Sequence, residues 1–293
     1  MERLQTVLDH IDGRGYKAYK RIQGEYDFPG YRLCIDHAQG DPFAEPSRCR
    51  ILVDQQTAAI PEQLYSNIIR RTALEDFFGR LFAQAITKYV RGARGSGRSG
   101  EITIVPYGQQ VLRRNSVLVP DGALEVRFQL ALPANGRSIN AEEAREMLFQ
   151  ELPQVVTGSL LSINDKLVEA LAHVGSVEEQ QHLRGQLQAK GLVAFIGDGA
   201  ILPRMSGIDD HPLPDAIPFV APDSMALEIE SLHLGKIRGL GIPEGVTLIV
   251  GGGFHGKSTL LHAIEYGVYD HVRKDGRERV VTVPSAGKIR AED

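Results

Sequence analysis

The sequence has no tryptophan and only two cysteines, Cys34 and Cys49. Two cysteines do not make the multi-bridge framework of a small secreted scaffold. Both thiols are expected to be free and buried, in a reducing compartment. No apolar run reaches the roughly 18 residues that a membrane-spanning helix needs. The polar start MERLQTVLDHIDGRG lacks the apolar core of a secretory signal. A cytoplasmic, intracellular protein without a membrane span is the expectation. Internal repeats and coiled-coil heptads are missing too. The net charge of −4 gives no global attraction to nucleic acid or acidic lipid, so such binding would need a local patch. With 293 residues, 42% of them apolar, the chain holds enough material for about two domains.

Against these absences one stretch stands out, GVTLIVGGGFHGKSTLLHAI over residues 245–264. Residues 246–250 are apolar and β-branched, the composition of a buried strand. Residues 251–258 fit G-x-x-x-x-G-K-[ST], the phosphate-binding P-loop. Leu260, Leu261, Ile264 and Val268 then recur at helical spacing. A phosphate needs a ring of backbone N–H donors without obstructing side chains. Gly251, Gly252, Gly253 and Gly256 permit that approach, and Phe254 and His255 complete the loop. A helix starting near Lys257 aims its unpaired N–H groups and positive dipole end at the anion. In this pattern Lys257 reaches the β- and γ-phosphates, the Ser258 hydroxyl ligates Mg2+, and Thr259 bonds an inner phosphate.

The rest of the chain reads as helix and sheet. Leu4, Val7, Leu8 and Ile11 mark a short first helix, and Pro61 marks the start of a long one reaching Val90. Strands are expected at 31–37, 48–54, 101–106, 111–119, 124–132, 192–196, 225–234 and 279–283, and helices at 141–149, 154–173 and 177–190. The fold class is α/β. An α+β domain over 1–221, with a largely antiparallel sheet packed on the Pro61 helix, precedes a partial P-loop domain over 222–293.

Two basic stretches raise the question of nucleic acid. YKAYKRIQGEY mixes Tyr16 and Tyr19 with Lys17, Lys20 and Arg21, a combination that tracks a single strand or simply forms a solvated turn. RGARGSGRSG carries Arg91, Arg94 and Arg98 among glycines. It reads as a flexible cationic loop that moulds to a phosphate backbone of single-stranded RNA or DNA, or as a plain linker. Its formal G-x-G-x-x-G follows a helix and precedes a strand, the wrong order for a dinucleotide fingerprint. Asp36, His37 and Asp41 match no common metal spacing, and Asp209, Asp210 and His211 suit a turn. Arg204 and Ser206 are candidates to face the nucleotide.

The P-loop region IPEGVTLIVGGGFHGKSTLLHAIEYGVYDH resembles that of the predicted ATPases of the ABC class, including the aromatic-His pair before the last loop glycine. The resemblance extends through GRGYKAYKRIQGEYDFPGYRLCIDHAQGDPFAEPSRCRI, ELPQVVTGSLL and GLVAFIGDGAILPRMSG, and so covers most of the chain. It implies ATP rather than GTP, Mg2+-dependent hydrolysis, a homodimer, and an adenine-stacking residue for which His233 is a candidate. It also implies a Walker B acid, a signature segment and switch residues. No strand ending in Asp-Glu lies between Ser258 and Asp293. This stretch is therefore expected to be the N-terminal part of a longer protein, with little ATP turnover by itself. The alternatives are a P-loop small-molecule kinase and a nucleic-acid-binding module in which nucleotide only sets conformation.

Overall fold

The computed structural model describes residues 1–161 and 163–289. They form two compact units, one of residues 1–107 and 113–170, the other of 108–112 and the described residues from 171 onward. The expected boundary near 221 differs from this division because of strand pairing. Leu192–Gly197 lies between Gly235–Pro243 and Val280–Thr282 in one sheet, so residues on either side of 221 share a ladder. Gln110–Val111 pairs with Asp270–His271, which draws a short early segment into the second unit. Helices and sheets are mixed as expected, and the strand pairings among the described residues are antiparallel.

The first unit is built on a six-stranded sheet. Its order is Gly24–Phe28, Tyr31–His37, Ser47–Val53, Leu124–Leu130 and Ile102–Thr103, with Val117–Leu118 also paired to Leu124–Leu130. Ser47, Cys49, Ile51 and Val53 are buried on one strand, and Leu124, Val126, Phe128 and Leu130 on its neighbour. That alternation gives the sheet one apolar face, which has to be covered. The helix Ile68–Tyr89 buries Leu74, Phe78, Phe82 and Ala85, and the Phe82 ring lies 5.6 Å from that of Phe128. This helix starts later than expected. Pro61 leads into a short 3-10 turn, Glu62–Leu64, and the α-helix begins after Asn67, whose side chain accepts the Arg70 N–H at 2.9 Å.

Further along, Ala141–Glu146 runs through a π turn, Met147–Glu151, into Leu152–Ser159. Pro153 supplies no N–H to the ladder there. The two helices expected next are replaced by this one and by Leu167–Gly185. Tyr16 and Tyr19 correct the reading of YKAYKRI as a surface segment. Both are buried in a 3-10 helix. The Tyr16 hydroxyl bonds Gln39 and the Leu132 carbonyl, each at 2.9 Å, and that of Tyr19 bonds the Pro133 carbonyl at 2.7 Å. Lys17, Lys20 and Arg21 are exposed. Cys34 and Cys49 are free and buried, and burial pushes the Cys49 thiol well above its ordinary range.

In the second unit a four-stranded sheet runs Ala226–Ser231, Gly235–Pro243, Leu192–Gly197, Val280–Thr282. An apolar cluster of Ala194, Ile196, Leu240, Ile242 and Val280 receives Leu260, Ala263 and Ile264 from the P-loop helix Lys257–Tyr266. A separate cluster joins Phe195, Ile229, Ile237 and Val281 to Leu183 and Leu187. Leu192–Gly197 contributes to both, which explains why it reads as an unbroken apolar run.

Candidate nucleotide-binding site

The expected phosphate loop is held at one end only, by its helix. Gly256 stands at the helix N-cap with φ +77°, and Leu260 N–H bonds its carbonyl at 2.8 Å. The helix then starts at Lys257 and leaves its first-turn N–H groups without intrahelical acceptors. Leu260, Ala263 and Ile264 anchor it to the sheet, whereas Leu261 faces outward, so the buried stripe is narrower than expected. At the other end the expected strand over 246–250 is not formed. Val246, Leu248 and Val250 are exposed, and among the described residues no neighbouring strand pairs with them. β-branched composition suits a strand only where a neighbour supplies a ladder and a surface to pack on.

Gly251, Gly252, Gly253, Phe254, His255 and Gly256 are all exposed. Phe254 adopts φ +61°, uncommon for a residue with a side chain, and that side chain points into open space. A Cβ at Gly253 or Gly256 would meet nothing within 4 Å, whereas at Gly251 and Gly252 it would meet the His255 side chain, and at Gly251 that of Lys257 also. Two contacts fold the loop on itself. Lys257 Nζ donates to the Gly252 carbonyl, and the Gly252 N–H donates to His255 Nδ1 at 3.2 Å. Lys257 and the Gly252 N–H thus already hold internal partners that a phosphate would replace.

Beside the loop lies a cavity of about 390 Å³ lined by Ser258, Thr259, His262, Tyr266, Ser206 and Asp210, together with Arg204 and Arg277. Arg204 and Ser206, singled out in the sequence, line the same cavity as Ser258 and Thr259. Arg204 clasps Asp275 in bidentate fashion at 2.9 and 3.1 Å, and Asp275 also sits 2.8 Å from His271 Nδ1. The His262 and Tyr266 rings stack at 4.7 Å. Sequence reasoning missed His262, Tyr266 and Arg277. The first two carry a signal, since they lie four residues apart on the helix that follows the loop; Arg277 carries none, being joined to the site only by the fold. His233 occupies the turn after Ala226–Ser231 and does not line this cavity. Asp209 and His211 pair locally at 2.6 Å in a turn.

For Mg2+ the fitting donor is the Ser258 hydroxyl, which is exposed at the cavity. No cluster of three or more acidic, His or Cys ligands occurs among the described residues.

The other glycine-rich stretch, residues 91–100, has a fixed shape, a correction to the flexible loop expected. Arg94 is buried, its side chain 0% exposed and paired with Glu143 at 2.5 Å and with Glu151. It faces inward, away from any nucleic-acid backbone. Arg91 and Arg98 are exposed, at 64% and 52% of their side chains, with Glu143 and Glu45 at 3.5 and 3.8 Å.

Sequence comparison agrees with the site. Residues 1–162 match the family described as the N-terminal region of ATPases of the ABC class, and residues 166–293 match its P-loop domain. The uncharacterized protein MJ1628 of Methanocaldococcus jannaschii is 36% identical over 121 residues, 39% of this chain and 27% of that protein. The matched region therefore spans about a quarter of that relative's length. With both family regions present in order, the chain belongs to the family of ATPases of the ABC class.

Proposed function

We propose that residues 251–259 bind the phosphates of ATP and that the complete protein of which this chain is part hydrolyses ATP with Mg2+. The observation that carries this reading is the exposed, glycine-built loop at the start of an anchored helix, with Lys257 and Ser258 at its end. The N–H groups from Gly251 to Gly256 cradle the phosphate chain, and Lys257 exchanges the Gly252 carbonyl for β- and γ-phosphate oxygens. Ser258 contributes its hydroxyl to the metal, and Thr259 bonds an inner phosphate. Mg2+, when bound, neutralises the charge that develops as the terminal phosphoryl group leaves.

In the test, Mg-ATP is titrated calorimetrically into the chain and into Lys257→Ala. Losing a charge-assisted bond worth roughly 1.5–3 kcal/mol should weaken binding about 10- to 150-fold. Equal affinities would refute the reading. The family likeness also supports a homodimer of the full-length protein, which sedimentation with and without Mg-ATP tests. A second reading, binding of single-stranded RNA or DNA, is supported by the exposure of Arg91 and Arg98, with Arg94 left out of the surface.

A further inference from the structure

Arg277 is 2% exposed and is the largest fully buried side chain of the chain's described residues. Nε and Nη2 both donate to the Leu202 carbonyl, Nε at 3.1 Å and Nη2 at 2.5 Å. Among the described residues no carboxylate lies within 4 Å of its guanidinium. The nearby acids are committed elsewhere. Asp275 is clasped by Arg204 and approached by His271, and Asp210 accepts from Gln110 at 2.8 Å. A second donor, Arg204 Nε, is buried without an acceptor. Burial first, then the charge of Arg204, push the Arg277 guanidinium down to about 10, against the opposing charges of Asp275 and Asp210.

Asp275 and Asp210 lie close enough to favour its charged form, yet the hydrogen bonds of the guanidinium go to one carbonyl, and a buried cation without an ion pair of its own is costly. Here a counter-charge has a way in. Arg277 lines the same cavity as Ser258, Thr259 and the stacked His262–Tyr266 pair, and the hydrogen bonds of its guanidinium run from Nε and Nη2. Thr259 is the P-loop residue nearest the inner phosphate in the nucleotide pattern. We infer that the cavity beside the P-loop is a second anion-binding subsite, in which Arg277 receives the inner phosphate of the nucleotide held by residues 251–259. The inference rests on the nucleotide reading above and extends it from the terminal phosphates to the nucleoside end. Arg277 is thus a binding residue contributed by the turn before Val280–Thr282.

The experiment compares the parent chain, Lys257→Ala, Arg277→Gln and Arg277→Lys by calorimetric titration with Mg-ATP, Mg-ADP and inorganic phosphate, alongside ligand-free melting. Arg277→Gln should weaken Mg-ATP and Mg-ADP alike, by about 10-fold or more. Its ligand-free melting temperature should be unchanged or higher, because a buried charge without an ion pair of its own has gone. Arg277→Lys keeps a charge but not the fork, and should fall between. Parental nucleotide affinity in Arg277→Gln, with melting lowered, would make Arg277 a structural tie to Leu202 and overturn the proposal. If that variant does not fold, parental affinity in Arg277→Lys overturns it equally. Phosphate binding that needs Arg277 but not Lys257, with ATP affinity unaffected, would assign the subsite to a free anion and also overturn it. Loss of ATP binding in Lys257→Ala alone leaves the P-loop reading standing while this one fails. A parent chain that binds no nucleotide defeats both.

Discussion

Two glycine-rich, cation-bearing loops in this chain look alike as strings and are physical opposites. Residues 91–100 are closed on themselves. Arg94 N–H bonds the Ser99 carbonyl at 2.7 Å, Ser96 N–H the Ala134 carbonyl at 2.8 Å, and Gly100 N–H the Ala131 carbonyl at 2.9 Å. A Cβ on Gly95, Gly97 or Gly100 would overlap a carbonyl oxygen, of Ala134, Pro42 and Gly92 respectively. Those glycines exist so that backbones can touch. In residues 251–256 a Cβ on Gly253 or Gly256 would meet nothing, and the nearest neighbour of Gly251 and Gly252 is the His255 side chain. No other backbone closes on that loop at these positions. A glycine-rich loop is therefore a binding loop only when its close approaches are still unfilled.

The largest effect that would break this contrast is expected at Arg94. Arg94→Ala leaves Glu143 and Glu151 facing each other without their cation, in a site where Glu151 is itself buried. Breaking a buried pair costs about 3–5 kcal/mol, so urea denaturation should show a loss of that order. The double variant Arg94→Met with Glu151→Gln should recover part of it, since one orphaned charge goes too. A loss under about 1 kcal/mol in Arg94→Ala would mean that the guanidinium is solvated and the loop mobile after all.

Next in size is the glycine comparison. Gly97 has φ +63° and lies against the Pro42 carbonyl. Gly97→Ala adds overpacking of about 1–3 kcal/mol to left-handed strain of about 1–2 kcal/mol. Gly253 lies in open space, so Gly253→Ala should change ligand-free stability by no more than about 0.5 kcal/mol. Thermal melting of the two variants reads both numbers. Equal shifts would erase the distinction between a packed loop and a vacant one.

The same distinction separates what was legible in the sequence from what was not. Period-two alternation in 47–53 and 124–130 was visible because one face of each strand is buried. The P-loop helix was visible because its capping glycine, its Lys-Ser pair and its apolar positions are consecutive. Properties that depend on a distant partner were hidden. Arg94 looked like a solvated cation because Glu143 and Glu151 lie some fifty residues away, at separations of 49 and 57. Tyr16 and Tyr19 looked available because their hydroxyl acceptors, the carbonyls of Leu132 and Pro133, are 116 and 114 residues on. The run 246–250 looked like a strand because composition reports a preference and not the presence of a ladder. Arg277 escaped notice for the converse reason, since the fold buries it beside Ser258 and Thr259, which no string of letters can display.

The smallest expected effect concerns the nucleic-acid reading. With Arg94 internal, Arg91 and Arg98 are the guanidiniums of this loop that face solvent, each with a carboxylate 3.5 Å or more away. Such exposed pairs are worth little, so either arginine can leave its acid for a phosphate. Each phosphate contact with a single strand contributes about 0.7 to the log–log salt slope, so Arg91→Ala with Arg98→Ala should flatten it by about 1.4 units. Neither substitution touches a buried group, and melting should be unchanged. Arg94→Ala cannot serve as a third member of that series, because any loss of binding it caused would follow from unfolding. The measurement is a salt titration of binding to single-stranded RNA, the double variant against the parent. Identical slopes would make the loop a packed connection with two solvated arginines. The exposed cluster of Lys17, Lys20 and Arg21, whose neighbouring tyrosines are buried and cannot stack on bases, would then be the surface to test by the same slope.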